Sequence, residues 1–333
     1  MAVDRRSALA AGIAALTVAT VGRTIAKGTE FAILDSHIHL FDPNRPQGTP
    51  ALVPGSSTSK TGSFPEGYRR WAEPLGVIGA IHIEASNWVE DNLWALQIAG
   101  ASEFMVGVVG NLDPEKPDFE SFLDRFQKDP MFRGIRYGNI WGYDLPRASR
   151  DPVVIGRLRK VAEAGLVMDT ATPGIDLLEG VLRVNDAIPT LPIVIDHLPS
   201  FDPDQTSDSR YEGLLRELGQ RSVIHVKLSE IIHRREGHVS LRMADYREGL
   251  DRIVAAFGAE RVMFGSDYPT SDMVAEPSQV FKIAREYIAL RPRAFQERVL
   301  FRNAWRFYGC KPRNDTQRAV AADPFTRAHV QPS

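Results

Sequence analysis

One cysteine, Cys310, stands among 333 residues. That excludes an internal disulfide framework and a cysteine-based metal cage, and it leaves Cys310 as an inert thiol. An excess of one charge is missing as well. The 40 Lys and Arg face 42 Asp and Glu, for a formal net charge of −2. The basic bias that nucleic-acid binding requires is therefore absent. There is no repeat, low-complexity tract or linker dividing the chain, so it reads as one large domain. No glycine-rich phosphate turn follows the first apolar run, which argues against a doubly wound nucleotide-binding sheet. No serine stands in a nucleophile-elbow context, so a covalent acyl-enzyme is not expected.

Residues 1–26 stand apart from the rest. They carry the pair Arg5-Arg6, an uncharged small-residue stretch from Ala8 to Gly22, and Thr24-Ile25-Ala26, which suits cleavage after Ala26. The stretch is too short and alanine-rich for comfortable insertion in a bilayer, so it reads as an export signal. It resembles the twin-arginine type, with Ala8 where a larger apolar residue is usual. The expected location is the periplasm, the alternative a cytoplasmic protein with a frayed N-terminal helix.

From Phe31 onward, short β-branched runs alternate with helical patterns. The runs cover 31–37, 77–84, 104–110, 134–139, 166–171, 192–197, 223–229 and 261–267. Between them, stretches such as Val154, Leu158 and Val161 recur at helical spacing. Eight strand–helix units predict an α/β fold, a single-domain (β/α)₈ barrel over 31–310, followed by a C-terminal tail over 311–333. The interval 40–64 is rich in Pro, Gly, Ser and Thr and follows the first strand, so it is expected to be a lid.

Barrel strands are buried on both faces, so polar residues within them need a reason. In "LDSHIHLFDP", His37 and His39 share one face of an extended chain, with Asp35 placed on the same side. His225, Lys227 and Ser229 share the inward face of strand 7, and strand 2 repeats the pattern with His82 and Glu84. Arg136 lies between two glycines, Asp196-His197 ends strand 6, and Asp267 ends strand 8. Barrel enzymes build their sites at that end. Three imidazoles (His37, His39, His197) and the Asp267 carboxylate suit one divalent cation, zinc above all, with a position open for water. Without a metal, Asp267 can serve as general base and the histidines can polarise a carbonyl. Either way the set is suited to water attacking a carbonyl carbon, with Asp267 and His197 as the catalytic pair.

The ordered motifs "DSHIHLFDP", "GIRYG", "VIDHLP", "VKLSE" and "FGSDYP" resemble the amidohydrolase-related family of the amidohydrolase superfamily. The nearest branch is that of 2-pyrone-4,6-dicarboxylate lactonase, sugar-acid lactonases and 4-sulfomuconolactone hydrolase. The resemblance implies that His37, His39, His197 and Asp267 match the family's metal or polarising set, and that Arg136 matches an arginine able to bind an anionic group. Asp169 stands where a strand-5 histidine is common, so a two-metal site is not implied. The expected activity is hydrolysis of a small anionic lactone of the pyrone-dicarboxylate, muconolactone or sugar-lactone type. Arg136, Lys227, His233 and Arg234 would bind the substrate, although the His233–Arg235 cluster also suits a solvated turn. The alternative is a metal-dependent decarboxylase of an aromatic or muconic acid. Glu84 either completes a metal shell or pairs with Arg136 or Lys227. His238 and His329 are expected at the surface.

Overall fold

A computed structural model describes residues 31–47, 56–201 and 209–323. The expected signal segment and His329 lie outside these residues.

Eight parallel strands follow one another in chain order around one sheet. They are β1 (Ile33–Ile38), β2 (Val77–Ile83), β3 (Met105–Asn111), β4 (Phe132–Arg136), β5 (Val167–Thr170), β6 (Ile193–Ile195), β7 (Ile224–Leu228) and β8 (Val262–Phe264). The ring closes where Ile38 bridges Tyr268 just beyond β8. There the Asp267 amide donates to the His37 carbonyl at 2.9 Å, and the His39 amide to the Tyr268 carbonyl at 2.8 Å. Gly265 permits this approach, because a Cβ at that position would sit 2.7 Å from the His37 Cβ.

Helices cover the outside in the intervals, as α1 (Pro65–Ala72), α2 (Asp91–Ala101), α3 (Phe119–Phe126), α4 (Pro152–Glu163), α5 (Ile175–Ala187), α6 (Ser209–Gly219), α7 (Arg247–Phe257) and α8 (Pro277–Ala289). In α4 the Asp151 side chain accepts from the Val153 amide at the N-cap, Pro152 opens the helix, and Val154, Leu158 and Val161 are buried. Each such side chain contributes about 1.5–3 kcal/mol on burial.

Two apolar layers result. Outward strand residues such as Ile33, Ile135, Ile195 and Val226 pack with the helices. Leu34, Ile81, Ile83, Val109, Val167, Val194 and Met263 form a separate inner cluster with Phe301, Ala304, Tyr308 and Cys310. A C-terminal segment thus supplies part of the inner core.

Two expectations change here. The strand-2 histidine, His82, does not face inward, because Ile81 and Ile83 do. Its Nδ1 instead accepts from the Leu40 amide at 3.0 Å, and His82 lines a small separate pocket with Trp94 and Ala95 of α2. The expected tail is structured through residue 323, with α9 (Asp315–Ala322) laid against the barrel. Gln317 is fully buried there and donates to the carbonyls of Ile78 and Glu103. The described flanks of the 40–64 interval are anchored to the barrel. Phe41 pairs with Ser63, Arg45 binds Asp91 through two hydrogen bonds, and the Ser57 amide donates to Asp272. Residues 48–55, the middle of the expected lid, lie outside the described residues.

Candidate active site

The β1–β2 register slips between Asp35 and Ile38. This irregularity lets His37 face inward although Leu34, three residues earlier, also does. It also separates Asp35 from the histidines. The Asp35 carboxylate accepts from Tyr68 Oη of α1 at 2.5 Å and from the amides of His37 and Ser266 at 3.1 and 2.9 Å. Asp35 therefore ties the ends of β1 and β8 to α1. Burial pushes its carboxyl above the usual range.

At the mouth, one oxygen of Asp267 gathers three rings. His39 Nε2 lies 3.0 Å, His37 Nε2 3.4 Å and His197 Nε2 3.9 Å from Asp267 Oδ1. His39 Nδ1 faces the carbonyls of Ile83 and Glu84 at 3.0 and 3.1 Å. Carbonyls only accept, so Nδ1 carries the proton and the Nε2 lone pair faces Asp267. Ser229 Oγ orients His197 through Nδ1 at 2.8 Å. Burial lowers the His39 pKa to about 4 and holds His37 well below its ordinary value, with Lys227 adding to the latter. Burial also raises Asp267 well above the carboxylate range, and His197 opposes that shift.

Beneath this layer lies a buried charge network. Lys227 Nζ is 2.6 Å from Asp169 Oδ2, 3.0 Å from Asp196 Oδ1 and 3.2 Å from His37 Nδ1. Tyr308 Oη donates to Asp169 at 2.7 Å. Lys227 is fully buried. It was expected to meet substrate, but it sits under His37 instead. Alternation fixes the face of a strand residue and not its height in the barrel.

Above the rings opens a cavity of about 230 Å³, lined by His39, Glu84, Arg136, Trp141, His197, Glu230 and Asp267 and flanked by Phe41, Ile140, Thr172 and Thr270. His233 and Arg234 are absent from this lining. His233 is bonded to Arg235 Nε at 3.0 Å and packs on Tyr246, so this cluster belongs to a neighbouring hairpin. Arg136 reaches the cavity but is paired to Glu84, Nε to Oε1 at 2.6 Å. That pair is one of the two expected roles of Glu84.

Trp141 and Glu230 escaped the sequence reading. Both follow a strand end directly or by a short loop, which is the signal they carry. They share another property with the site. Six described non-glycine residues hold positive φ, and five of them, Trp141, Thr172, His197, Glu230 and Asp267, line the cavity. Left-handed backbone at such residues costs about 1–3 kcal/mol each and concentrates at functional sites.

The donor chemistry fits one metal ion. Ligand atoms of His37, His197 and Asp267 lie within 4.8 Å of one another. Two buried atoms of that group, His37 Nε2 and Asp267 Oδ2, have no hydrogen-bond partner. His39 stands just beside it.

With barrel, carboxylate and three imidazoles in place, comparison with known proteins assigns the class. Residues 34–310 match the amidohydrolase family model, and the chain belongs to that family. It is a hydrolase of the amidohydrolase superfamily. An L-fucono-1,5-lactonase of Burkholderia ambifaria is 28% identical over 207 residues, 60% of this chain and 69% of the relative. An amidohydrolase of Burkholderia multivorans, solved with bound zinc, superposes with a TM-score of 0.73 at 20% identity, covering 84% of this chain and all of that one. A probable 2-pyrone-4,6-dicarboxylic acid hydrolase from Acinetobacter baumannii, solved with citric acid, gives 0.66 at 15% identity, covering 84% of this chain and 100% of that one. At these identities the solved structures establish the fold alone. Among the described residues no helix is long and apolar enough to cross a membrane.

Proposed function

We propose that the protein opens the ring of a small lactone by attack of water on the carbonyl carbon, with Asp267 as proton acceptor. One observation carries this reading: a buried carboxylate that lines a cavity together with His39 and His197, with three imidazole nitrogens at 3.0, 3.4 and 3.9 Å from one of its oxygens. The L-fucono-1,5-lactonase relative supports the lactone class.

Asp267 takes a proton from the water as its oxygen bonds to the carbonyl carbon. The oxyanion that forms faces the imidazoles. The ring C–O bond then breaks, and Asp267 returns the proton to the leaving alkoxide. Burial makes Asp267 a stronger base than an exposed carboxylate. His37, fully buried between Lys227 and Asp267, has Nδ1 3.2 Å from Lys227 Nζ and Nε2 3.4 Å from Asp267 Oδ1, so it holds the Asp267 carboxylate in place from below. A zinc-type ion would be held by His37, His197 and Asp267 beside His39, and it would supply water acidification and carbonyl polarisation.

A proton-release assay against a lactone panel, run before and after chelation and beside elemental analysis, tests this. About one metal per chain is expected. Turnover should release one proton without carbon dioxide. Gas release would favour the decarboxylase. Failure of folded protein on every lactone would overturn the reading. Full activity in metal-free protein would assign carbonyl polarisation to the histidines alone.

A further inference from the structure

Among the described residues, Arg136 is the one arginine or lysine on the cavity wall, and it comes with its counter-ion built in. Arg136 is 4% exposed, and it donates from Nε to Glu84 Oε1 at 2.6 Å and from NH2 to the Glu84 carbonyl at 3.1 Å. Glu84 is 3% exposed and held from other sides as well. Trp141 Nε1 lies 3.0 Å from both carboxylate oxygens, and the Ser86 amide 3.1 Å from Oε2. Four donor contacts fix the carboxylate against the guanidinium, so swinging it aside for an incoming anion would break several charge-assisted hydrogen bonds at once. Breaking a buried ion pair leaves an uncompensated charge.

The rest of the wall adds negative charge. Glu230 lines the same cavity, close enough to Asp267 to raise its carboxyl. The other central cation, Lys227, is fully buried below and engaged by Asp169 and Asp196. A ring bearing a carboxylate would meet a neutralised arginine flanked by two glutamates. A ring bearing hydroxyls would find carboxylate oxygens that accept its hydrogen bonds.

We propose that Glu84 is a specificity-determining residue: by cancelling the charge of Arg136 it makes the cavity select a neutral, hydroxylated lactone over one carrying an acidic group. The inference rests on the lactonase reading and deepens it. It also reverses the expectation of an anionic substrate, which came from counting basic residues without their partners.

The test uses a matched pair, an aldono-1,4-lactone and the aldaro-1,4-lactone in which its terminal CH₂OH is a carboxylate. The wild type should open the neutral lactone with at least tenfold higher kcat/KM. Glu84→Gln keeps the shape and removes the charge, so the acid-to-neutral ratio of kcat/KM should rise at least tenfold. Adding Arg136→Gln to that variant should abolish the rise. A wild type that prefers the aldaro-lactone overturns the inference, and so does a folded Glu84→Gln protein with an unchanged ratio. If the variant does not fold, the wild-type preference decides alone. If the wild type opens neither of these lactones nor any other of the panel, the lactonase reading is at fault, and selectivity is read by calorimetry with tetrahydrofuran-2-carboxamide and tetrahydrofuran-2-carboxylate. Tighter carboxamide binding supports the inference, and tighter carboxylate binding overturns it.

Discussion

Asp267 sits in left-handed backbone at φ 58°, and its own amide and the carbonyl of Tyr268 beside it make the bonds that close the barrel. Asn tolerates that conformation and keeps the shape of the carboxylate, but it cannot accept a proton. Asp267→Asn should therefore fold and lose about 10²–10⁴-fold in kcat. Steady-state kinetics on the folded variant checks this, and a loss below about tenfold would move the base elsewhere. Because ring closure passes through the same proton transfer, it should fall by the same factor. This carboxylate and the three histidines around it were legible in the sequence because they repeat one feature, a polar side chain at the end of a buried strand. Asp35 and His82 were not. Their facing depends on register slips between Asp35 and Ile38 and between Ala80 and Ile81, which backbone pairing sets and residue type does not announce. The pairing of Arg136 was open in the sequence as one of two roles for Glu84, and distance alone decided it.

Among the elements, the strand order and the apolar faces of α4, α7 and α8 follow directly from periodicity. The segment after Cys310 does not, because "KPRNDTQ" has no apolar stripe to reveal that it docks. Its anchorage is polar. Arg313 NH1 donates to the carbonyls of Ala99, Ser102 and Met105 at 2.9, 2.9 and 3.0 Å, and NH2 to Gly100 at 2.6 Å. Ala99 and Gly100 lie in the last turn of α2, where a cation meets the negative end of the helix dipole, and Ser102 and Met105 lie in the link from α2 to the start of β3. Arg313→Ala should cost about 2 kcal/mol, the range for hydrogen bonds from a charged donor. Arg318→Ala, which removes an exposed ion pair with Asp315, should change stability by less than about 1 kcal/mol. Urea denaturation of the two variants makes the comparison. Equal effects would mean that the C-terminal segment contributes nothing through Arg313.

At the scale of the whole molecule, two properties remain to be tested in the intact protein. The first is export. Residues 1–26 should be absent from mature protein, and replacing Arg5-Arg6 with two lysines should block export, read by cell fractionation. Unchanged processing would remove the twin-arginine assignment. The second is acid stability. His225 lies at the bottom of the barrel, its ring 4.6 Å from that of Phe307, and its Nδ1 faces the Val223 carbonyl at 3.3 Å. Burial lowers its pKa from 6.5 to about 4, and the nearby Arg261 and Arg306 push the same way. The unfolded chain therefore binds a proton at this ring below about pH 6.5, where the folded chain does not. Stability from the neutral ring is complete above that pH and is lost as pH falls through about 4. Over that window the free energy of unfolding should decline with falling pH. His225→Gln, which does not titrate, should make the decline shallower by up to one proton's worth of slope. Denaturation curves for both proteins between pH 7.5 and 4 give the slopes directly. Parallel slopes would mean that the His225 ring is protonated in the folded barrel, and its packing on Phe307 would then have to accommodate a cation.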